Sequence, residues 1–272
     1  MNNQFFYQIK KNIRQITELP LVKIEDQISI NPPKQKISPI VYQTWVNNEF
    51  GKSHAKSILK FRNLNKNLTF KIYTDLSMNS YMKNNWGDHE IYQIYKKALV
   101  GPLRTDIFRY CILYKEGGYY FDISRGCKTP LTELHKKNST GIITFEDTFC
   151  YIPPTSNKVF KLLRPFNHAL QWGLGFEKQN KFLSLLISTI VRAYPMFKNK
   201  VFLNPKIAVL NFTGPGMYTA VLRNFVSKHS INNFCQLDIK FNNQGIFKLK
   251  GSQFRYYSNP SYTYLENCKI CN

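Results

Sequence analysis

The residues best suited to chemistry lie in one stretch, Gly101 to Cys127, which reads GPLRTDIFRYCILYKEGGYYFDISRGC. Asp106 and Arg109 are three residues apart in a helical pattern, so they are neighbours on one helix face. That helix is otherwise apolar around nearly its whole circumference, which makes a charged pair costly to bury. It is either a structural ion pair or a pair that faces a polar ligand, and the second interpretation explains the cost better. The carboxylate can accept hydrogen bonds from sugar hydroxyls, and the guanidinium can donate to hydroxyls or phosphate.

Asp122 and Ser124 form a second pair of oxygen side chains. The pattern predicts a short strand over Tyr119 to Ile123, which would place both side chains on the same side of an extended backbone. A hard cation that bridges a diphosphate takes such oxygen ligands. A D-x-S pattern alone recurs by chance, so its weight comes from the elements before it.

Two glycine signals bound the helix that carries the charged pair. Gly101-Pro102 predicts its start, because proline at the first helical position gives up an amide that would be unpaired anyway. Gly117 and Gly118 predict its end, since glycine readily takes the left-handed cap conformation. The helix therefore leads through a tight turn into the strand that ends near Asp122.

Strands and helices also alternate upstream. The patterns predict a strand within Ile37 to Trp45, a helix over His54 to Leu64, and a strand over Thr69 to Thr74. This alternation indicates an α/β sheet that is largely parallel. Ligands of such sheets bind outside the carboxyl ends of the strands, where Trp45 and Asp75 lie.

The downstream half gives weaker signals. Its predicted elements are a strand over Gly141 to Phe145, a helix over Phe182 to Tyr194, a turn or helix start over Asn211 to Gly216, and strands within Gln244 to Tyr257. Glu146 and Asp147 follow the first of these strands and are candidates for a catalytic base. Charged residues at a strand end are, however, more often simply solvated.

The net charge of the chain limits the classes of partner that it is expected to bind. The 272 residues include 38 Lys and Arg against 16 Asp and Glu, a net charge of +22. Such a field attracts nucleic acid, anionic lipid and phosphorylated substrates, although a compositional bias of the proteome explains it equally well. The sequence has no zinc-finger, RNP-type or basic heptad pattern, so we expect no nucleic-acid partner.

The N-terminal residues 1–36 predict an amphipathic and irregular lead-in to a domain over 37–272. Met1 to Glu18 has near-helical apolar spacing with basic residues between, so it either lies on an anionic membrane surface or docks on the domain. No apolar run is long enough to cross a bilayer, and no secretory signal is present. We therefore expect a cytoplasmic protein, with peripheral membrane contact as a further possibility and its six cysteines reduced. Cys268 and Cys271 form a lone C-x-x-C, which we interpret as a tail feature rather than a zinc site.

The central block resembles a known family. The order R-x-D-x-x-R-Y-x-x-L-Y-x-x-G-G-Y-Y-x-D, from Arg104 to Asp122, is similar to the DXD-motif sugar-binding glycosyltransferases of the mannosyltransferase and capsular-polysaccharide type, which are related to the clostridial glucosylating toxins. Ile40 to Trp45 (IVYQTW) resembles that family's opening Ile-His-Gln-x-Trp strand, and Thr69 to Asp75 its second strand. Thr213-Gly214-Pro215 resembles its later T-G-P turn. The resemblance spans about residues 37 to 220.

The resemblance implies a GT-A type nucleotide-diphospho-sugar transferase fold, with a mixed, mostly parallel sheet flanked by helices. It implies catalytic roles for Asp122, Asp106 and Arg109, and metal ligation by Asp122 and Ser124. It further implies a donor site of Thr44, Trp45, Asp106, Arg109, Tyr120, Asp122 and, in a less certain alignment, Asn167. The cofactor would be Mn²⁺ or Mg²⁺, weakly bound because Ser124 replaces the family's second motif Asp.

Two functions follow as hypotheses. The first is a glycosyltransferase that moves a sugar from a UDP- or GDP-sugar to a glycan or lipid-linked acceptor, as in polysaccharide or glycoconjugate synthesis. The second is a catalytically weakened GT-A-like module that binds a nucleotide or glycan, which the loss of the second Asp favours.

Overall fold

The computed structural model describes residues 16–240, 245–253 and 265–272. Its helices are α1 (Lys52–Leu64), α2 (Asp75–Trp86), α3 (Glu90–Lys97), α4 (Gly101–Glu116), α5 (Asn157–Phe160), α6 (Lys181–Ala193), α7 (Pro205–Phe212) and α8 (Pro215–Lys228). Its strands are β1 (Val22–Lys23), β2 (Ile40–Thr44), β3 (Glu49–Phe50), β4 (Thr69–Tyr73), β5 (Gly118–Phe121), β6 (Arg125–Cys127), β7 (Gly141–Phe149), β8 (Asn167–Ala169), β9 (Gly173–Phe176), β10 (Val201–Phe202), β11 (Phe234–Asp238), β12 (Ile246–Lys248) and β13 (Cys268–Lys269).

A seven-stranded sheet forms the centre, in the order β11-β7-β9-β5-β2-β4, with β8 paired to β7. β4, β2 and β5 run parallel to one another, and β11 runs parallel to β7. β9 lies between the two groups and is antiparallel to both of its neighbours, and β8 is antiparallel to β7. Every strand of the sheet except β8 and β9 therefore points the same way. We call the edge where β2, β4, β5 and β7 end the carboxyl edge.

Apolar layers cover both faces of this sheet. Successive strand residues point to opposite faces, and so Val41 and Tyr119 join one buried cluster while their neighbours Tyr42 and Tyr120 join another. The larger cluster lies under helices α2 to α8, and the smaller one lies under α1 and the loops beside it. The structure confirms the predicted α/β class, with a mixed, mostly parallel sheet flanked by helices.

The glycine turn after α4 has a specific steric cause. Gly117 and Gly118 have φ of +67° and +108°, backbone conformations that side chains oppose. A Cβ on Gly118 would lie 2.6 Å from the Ile40 carbonyl oxygen, so the turn also needs the space. The chain can therefore leave α4 through a tight turn into β5, as the sequence predicts. The structure adds that β5 pairs beside β2.

The remaining predicted elements differ from the observed ones mainly at their ends. The strand expected over 141–145 continues to Phe149. The helix expected to reach Tyr194 ends at Ala193 and is followed by a short 3-10 turn at Tyr194–Met196. The turn or helix start expected over 211–216 is the junction at which α7 ends and α8 begins. β12 lies within the region predicted for the last strands, of which residues 244 and 254–257 lie outside the described residues.

The two ends of the chain pack on the domain where they are described. β1 pairs with β3, and Gln27 forms a bridge with Phe70, so part of the predicted lead-in extends the fold. β13, which the sequence did not predict, pairs with β10, and the nearby Cys271 is buried. No disulfide joins the six cysteines, all of which are described. Residues 1–15 of the predicted amphipathic helix lie outside the described residues. Across the described ranges, no helix is long and apolar enough to cross a membrane.

Candidate active site

The predicted charged residues come together at the carboxyl edge. Arg109 Nη2 lies 3.1 Å from Asp106 Oδ1 within α4 and 3.4 Å from Asp122 Oδ1 at the end of β5. Only 3% of the Asp106 side chain and 6% of the Arg109 side chain are exposed, whereas 35% of Asp122 is. One arginine therefore joins a buried carboxylate to a carboxylate that reaches solvent.

Both Asp106 carboxylate oxygens are occupied by protein donors. Gln171 Nε2 donates to Oδ1 at 3.1 Å, and Thr213 Oγ1 donates to Oδ2 at 2.9 Å. Burial raises the pKa of Asp106 to about 6, although Arg109 and the two hydrogen bonds oppose the shift. This carboxylate has the surroundings of a group that holds Arg109 in place.

Several neighbours hold the Arg109 guanidinium, although its buried Nε has no hydrogen-bond partner among the described residues. Its Nη1 donates to the Gln171 carbonyl oxygen at 2.8 Å, and its guanidinium carbon lies 4.5 Å from the centre of the Tyr120 ring. Burial alone would lower the pKa of Arg109, but Tyr120, Asp122 and Asp106 raise it above its usual value, so the guanidinium stays charged. The Tyr120 hydroxyl is in turn 2.9 Å from Thr44 Oγ1 at the end of β2.

Tyr110 connects α4 to Gln171 and Thr213, which are distant along the chain. Its hydroxyl lies within hydrogen-bonding distance of Gln171 Oε1 and, at 2.8 Å, of the Thr213 carbonyl oxygen. Asp106, Arg109, Tyr110, Gln171 and Thr213 thus form one buried set of hydrogen bonds, which we call the inner network.

A second set of polar residues surrounds Asp122 nearer to solvent. The Asp122 amide donates to the Trp172 carbonyl oxygen at 3.0 Å, and the Arg125 guanidinium stacks 4.1 Å from the Trp172 ring. Trp172 Nε1 donates to Glu146 Oε1 at 3.1 Å. Burial raises the pKa of Glu146 above its ordinary value, and the Trp172 hydrogen bond partly offsets this. We call Asp122, Arg125, Glu146 and Trp172 the outer group.

The backbone at Ser124 differs from the extended strand that we predicted. β5 ends at Phe121, and the Arg125 amide donates to the Asp122 carbonyl oxygen at 2.7 Å, which closes a turn. The turn leads directly into β6, which pairs with the distant β12. Ser124 is only 4% exposed, and its carbonyl accepts from the Leu249 amide. The expectation that Asp122 and Ser124 share one side of an extended backbone was therefore wrong, and metal ligation by the pair stays a prediction.

The described residues contain no group of three His, Cys, Asp or Glu that could hold a metal ion. The site contains three carboxylates (Asp106, Asp122 and Glu146) and two arginines (Arg109 and Arg125). Its net charge is therefore −1. This donor set suits a weakly held hard cation that takes its other ligands from phosphate and water.

Two of the other predicted donor residues lie around this centre. Trp45 directly follows β2, is half-buried, and donates its amide to the Tyr73 carbonyl oxygen at 3.1 Å. Asn167 begins β8 and donates to the Glu146 carbonyl oxygen at 2.9 Å. Their contacts with a donor stay predictions. Asp75, which follows β4, is the exposed first residue of α2.

The sequence reasoning missed several residues that build the site. Gln171 and Trp172 precede the Gly-rich strand β9 and carried no recognised motif. Tyr110 lies on the helix that we described as otherwise apolar, and Thr213 was noted only as part of the T-G-P turn. A usable signal was the polar Gln-Trp pair set between two apolar segments.

Comparisons with known proteins identify the family of this chain. The chain matches the family described as "Glycosyltransferase sugar-binding region containing DXD motif" over residues 3–141, just over half its length. It is 24% identical over 246 residues to the initiation-specific alpha-1,6-mannosyltransferase of Candida albicans, covering 81% of this chain and 61% of that protein. It is 27% identical over 130 residues to the inositol phosphoceramide mannosyltransferase 3 of Schizosaccharomyces pombe, covering 48% of this chain and 35% of that protein.

The chain thus spans about three fifths or less of the length of these curated relatives. Among solved structures, the PaToxG glycosyltransferase aligns with a TM-score of 0.49 at 15% identity, over 81% of this chain and 76% of that one. The family match includes α4, the glycine turn and Asp122, which are the elements that form the charged centre. The chain therefore belongs to the glycosyltransferases whose sugar-binding region contains a DXD motif.

Proposed function

We propose that this chain transfers a hexosyl group from a nucleotide-diphospho-sugar to a glycan or lipid-linked acceptor. The observation that carries the proposal is the partly exposed Asp122 carboxylate, held 3.4 Å from the buried Arg109 guanidinium at the carboxyl edge. Ligands of open α/β sheets bind at this edge. The names of both relatives specify mannosyl transfer, so mannose is the sugar to test first.

The inner network is neutral overall, but it holds the charged Arg109 guanidinium in a fixed position beside Asp122. Glycosyl transfer needs stabilisation of the charge that develops on the departing diphosphate, and a preorganised guanidinium provides it without reorganisation. Asp106 and Tyr120 hold Arg109 in position, and its Nη2 faces both Asp106 and Asp122, so the donor would approach the guanidinium from beside Asp122. Asp122 can accept hydrogen bonds from hydroxyls of the bound donor.

Glu146 is the candidate base in this arrangement. Its raised pKa brings it closer to the range in which a carboxylate removes a proton efficiently, and Trp172 orients it beside the Asp122 segment. Asp147, the other candidate, lies 3.0 Å from Lys240 and 3.6 Å from Arg164, and its side chain is half exposed. We therefore assign the acceptor proton to Glu146.

The net negative charge at Asp122 also fits a divalent cation. Asp122 would hold Mn²⁺ or Mg²⁺ as its one carboxylate ligand, with Ser124 as a weaker candidate. A cation bound there with the donor neutralises charge on the diphosphate.

A binding module without turnover is the second candidate function. The observation that favours it is Ser124, a buried neutral residue in a turn at the position where the family has its second Asp. Such a protein would recognise a nucleotide or glycan with the same residues but release no product.

A donor screen with two readouts separates these functions. Melting temperatures are measured with UDP- and GDP-sugars, mannose donors first, with and without Mn²⁺, since a ligand that binds the folded state raises the melting temperature. Release of nucleoside diphosphate is then measured for each donor that binds. A stabilising donor with turnover supports the enzyme, and one without turnover supports the module. If no donor of the panel stabilises the chain, both proposals are wrong.

A further inference from the structure

Four aromatic side chains lie exposed at the end of β7. Phe149 contacts Tyr151 and Phe166, with ring centres 5.9 and 6.4 Å apart, and Phe166 contacts Phe160 at 5.9 Å. Their exposed fractions range from 44% for Phe166 to 92% for Tyr151. We call these four residues the aromatic surface. Contiguous apolar patches of this kind mark interaction sites on folded proteins.

The backbone beneath the aromatic surface is firmly held. Arg223, a buried residue of α8, donates to the carbonyl oxygens of Ile152 and Pro165, one in each of the two segments that carry the rings. The Cys150 amide donates to the Phe166 carbonyl oxygen at 2.8 Å, which joins the two segments. The rings are therefore displayed by an ordered scaffold.

Basic side chains flank the aromatic surface. Lys158 and Lys161 are exposed beside Phe160, and neither forms an ion pair with any described residue. Arg164 pairs with Asp147 and Asp238, and Lys240 pairs with Asp147. The flank therefore carries four cations against two carboxylates. An apolar centre with a cationic rim is complementary to a lipid surface with anionic headgroups.

We propose that the aromatic surface docks the protein on anionic membranes, with the rings among the headgroups and Lys158 and Lys161 on the phosphates. A second copy of the chain is a poorer occupant, because two proteins of charge +22 repel each other. A sugar platform is also disfavoured, since the exposed residues that adjoin the rings include the aliphatic Ile152 and Leu163.

The docking surface lies on the carboxyl edge, as does Asp122. Phe149 ends the strand that contains Glu146, and Asn167 pairs with Phe149 while it donates to the Glu146 carbonyl oxygen. A docked molecule would present the outer group towards the membrane. That orientation would bring a lipid-linked acceptor to the donor, a consequence that rests on the proposed function. The docking itself does not rest on that function.

Vesicle co-sedimentation of the full chain tests the docking. Vesicles contain phosphatidylcholine alone or with about one third phosphatidylglycerol, at low and high salt. We expect salt-sensitive binding to the anionic vesicles. Tyr151→Ser/Phe160→Ser should weaken that binding about tenfold or more, because two rings that the membrane would bury are lost. Lys158→Glu/Lys161→Glu should abolish the preference for anionic lipid.

Matched controls change exposed residues elsewhere. Leu203→Ser/Ile207→Ser removes two exposed apolar side chains, and Lys198→Glu/Lys200→Glu reverses two exposed charges. Both should bind as the wild type does. Tyr151→Ser alone guards against misfolding, since this side chain is 92% exposed. If the aromatic variants keep full binding, or if they instead alter the sedimentation coefficient in lipid-free buffer, the membrane is not the occupant. Turnover with a soluble acceptor should be the same in all variants, which separates this test from that of the proposed function.

Discussion

The inner network and the outer group are adjacent but differ in how their polar atoms are satisfied. Asp106 is 3% exposed, Gln171 and Thr213 donate to its oxygens, and Arg109 forms an ion pair with it. Asp122 is 35% exposed, and Arg109 contacts its carboxylate from the buried side. Two aspartates beside one arginine thus have different environments. The buried aspartate is therefore suited to positioning and the exposed one to binding.

The largest expected effect comes from the outer group. Asp122→Asn removes the charge that would meet the donor and cation, and we expect transfer to fall at least about 10³-fold, which is about 4 kcal/mol. The melting temperature should stay close to that of the wild type, because the side chain is partly exposed. Asp88→Asn, at an exposed position elsewhere, is the matched control. Near-normal turnover of the purified Asp122→Asn protein would remove Asp122 from the site.

Breaking the inner network should act on stability as well. Arg109→Ala leaves Asp106 buried without its cation, and loss of one partner of a buried pair costs about 3 kcal/mol or more. Urea unfolding measures the change, with the exposed Arg192→Ala as control. An Arg109→Ala protein that loses donor binding but keeps its full free energy of unfolding would show that the pair is not structural.

The pH dependence of stability tests the environment of Asp106. Burial raises the pKa of Asp106 from its usual 3.8 to about 6, so the folded chain holds this proton more tightly than the unfolded chain does. Its contribution to the free energy of unfolding is therefore greatest below pH about 4, and is lost as the pH rises through about 6. Relative to Asp106→Asn, the wild type should lose stability over this window, by up to about 1.4 kcal/mol per pH unit. A pH-independent difference in unfolding by urea would contradict the account.

The smallest expected effect concerns Ser124. Ser124→Asp adds a charge beside Asp122, and nucleotide-dependent Mn²⁺ affinity should tighten by roughly tenfold, about 1.4 kcal/mol. Ser124→Ala should leave the affinity nearly unchanged, which calorimetry can verify. If Ser124→Asp has no effect on Mn²⁺ affinity, this residue does not face the cation, and the buried turn explains why.

Local features of the sequence were sufficient to predict the charged helix and the glycine turn. Asp106 and Arg109 meet because they are three residues apart on α4, and the two glycines place Asp122 beside them. The partners of Asp106 were not predictable, since Gln171 and Thr213 are 65 and 107 residues away along the chain. The turn at Ser124 was missed for the same reason, because it depends on the pairing of β6 with the distant β12.

The role of Asp122 is tested by calorimetric titration of nucleoside diphosphate into the wild type and Asp122→Asn, with and without Mn²⁺. We expect the wild type to bind more tightly with Mn²⁺, and Asp122→Asn to lose this gain without a change in melting temperature. Asp106→Asn, in the inner network, should retain at least part of the Mn²⁺ gain. Equal gains from Mn²⁺ in the wild type and Asp122→Asn would contradict the assignment of Asp122 as the residue that meets the donor and its cation.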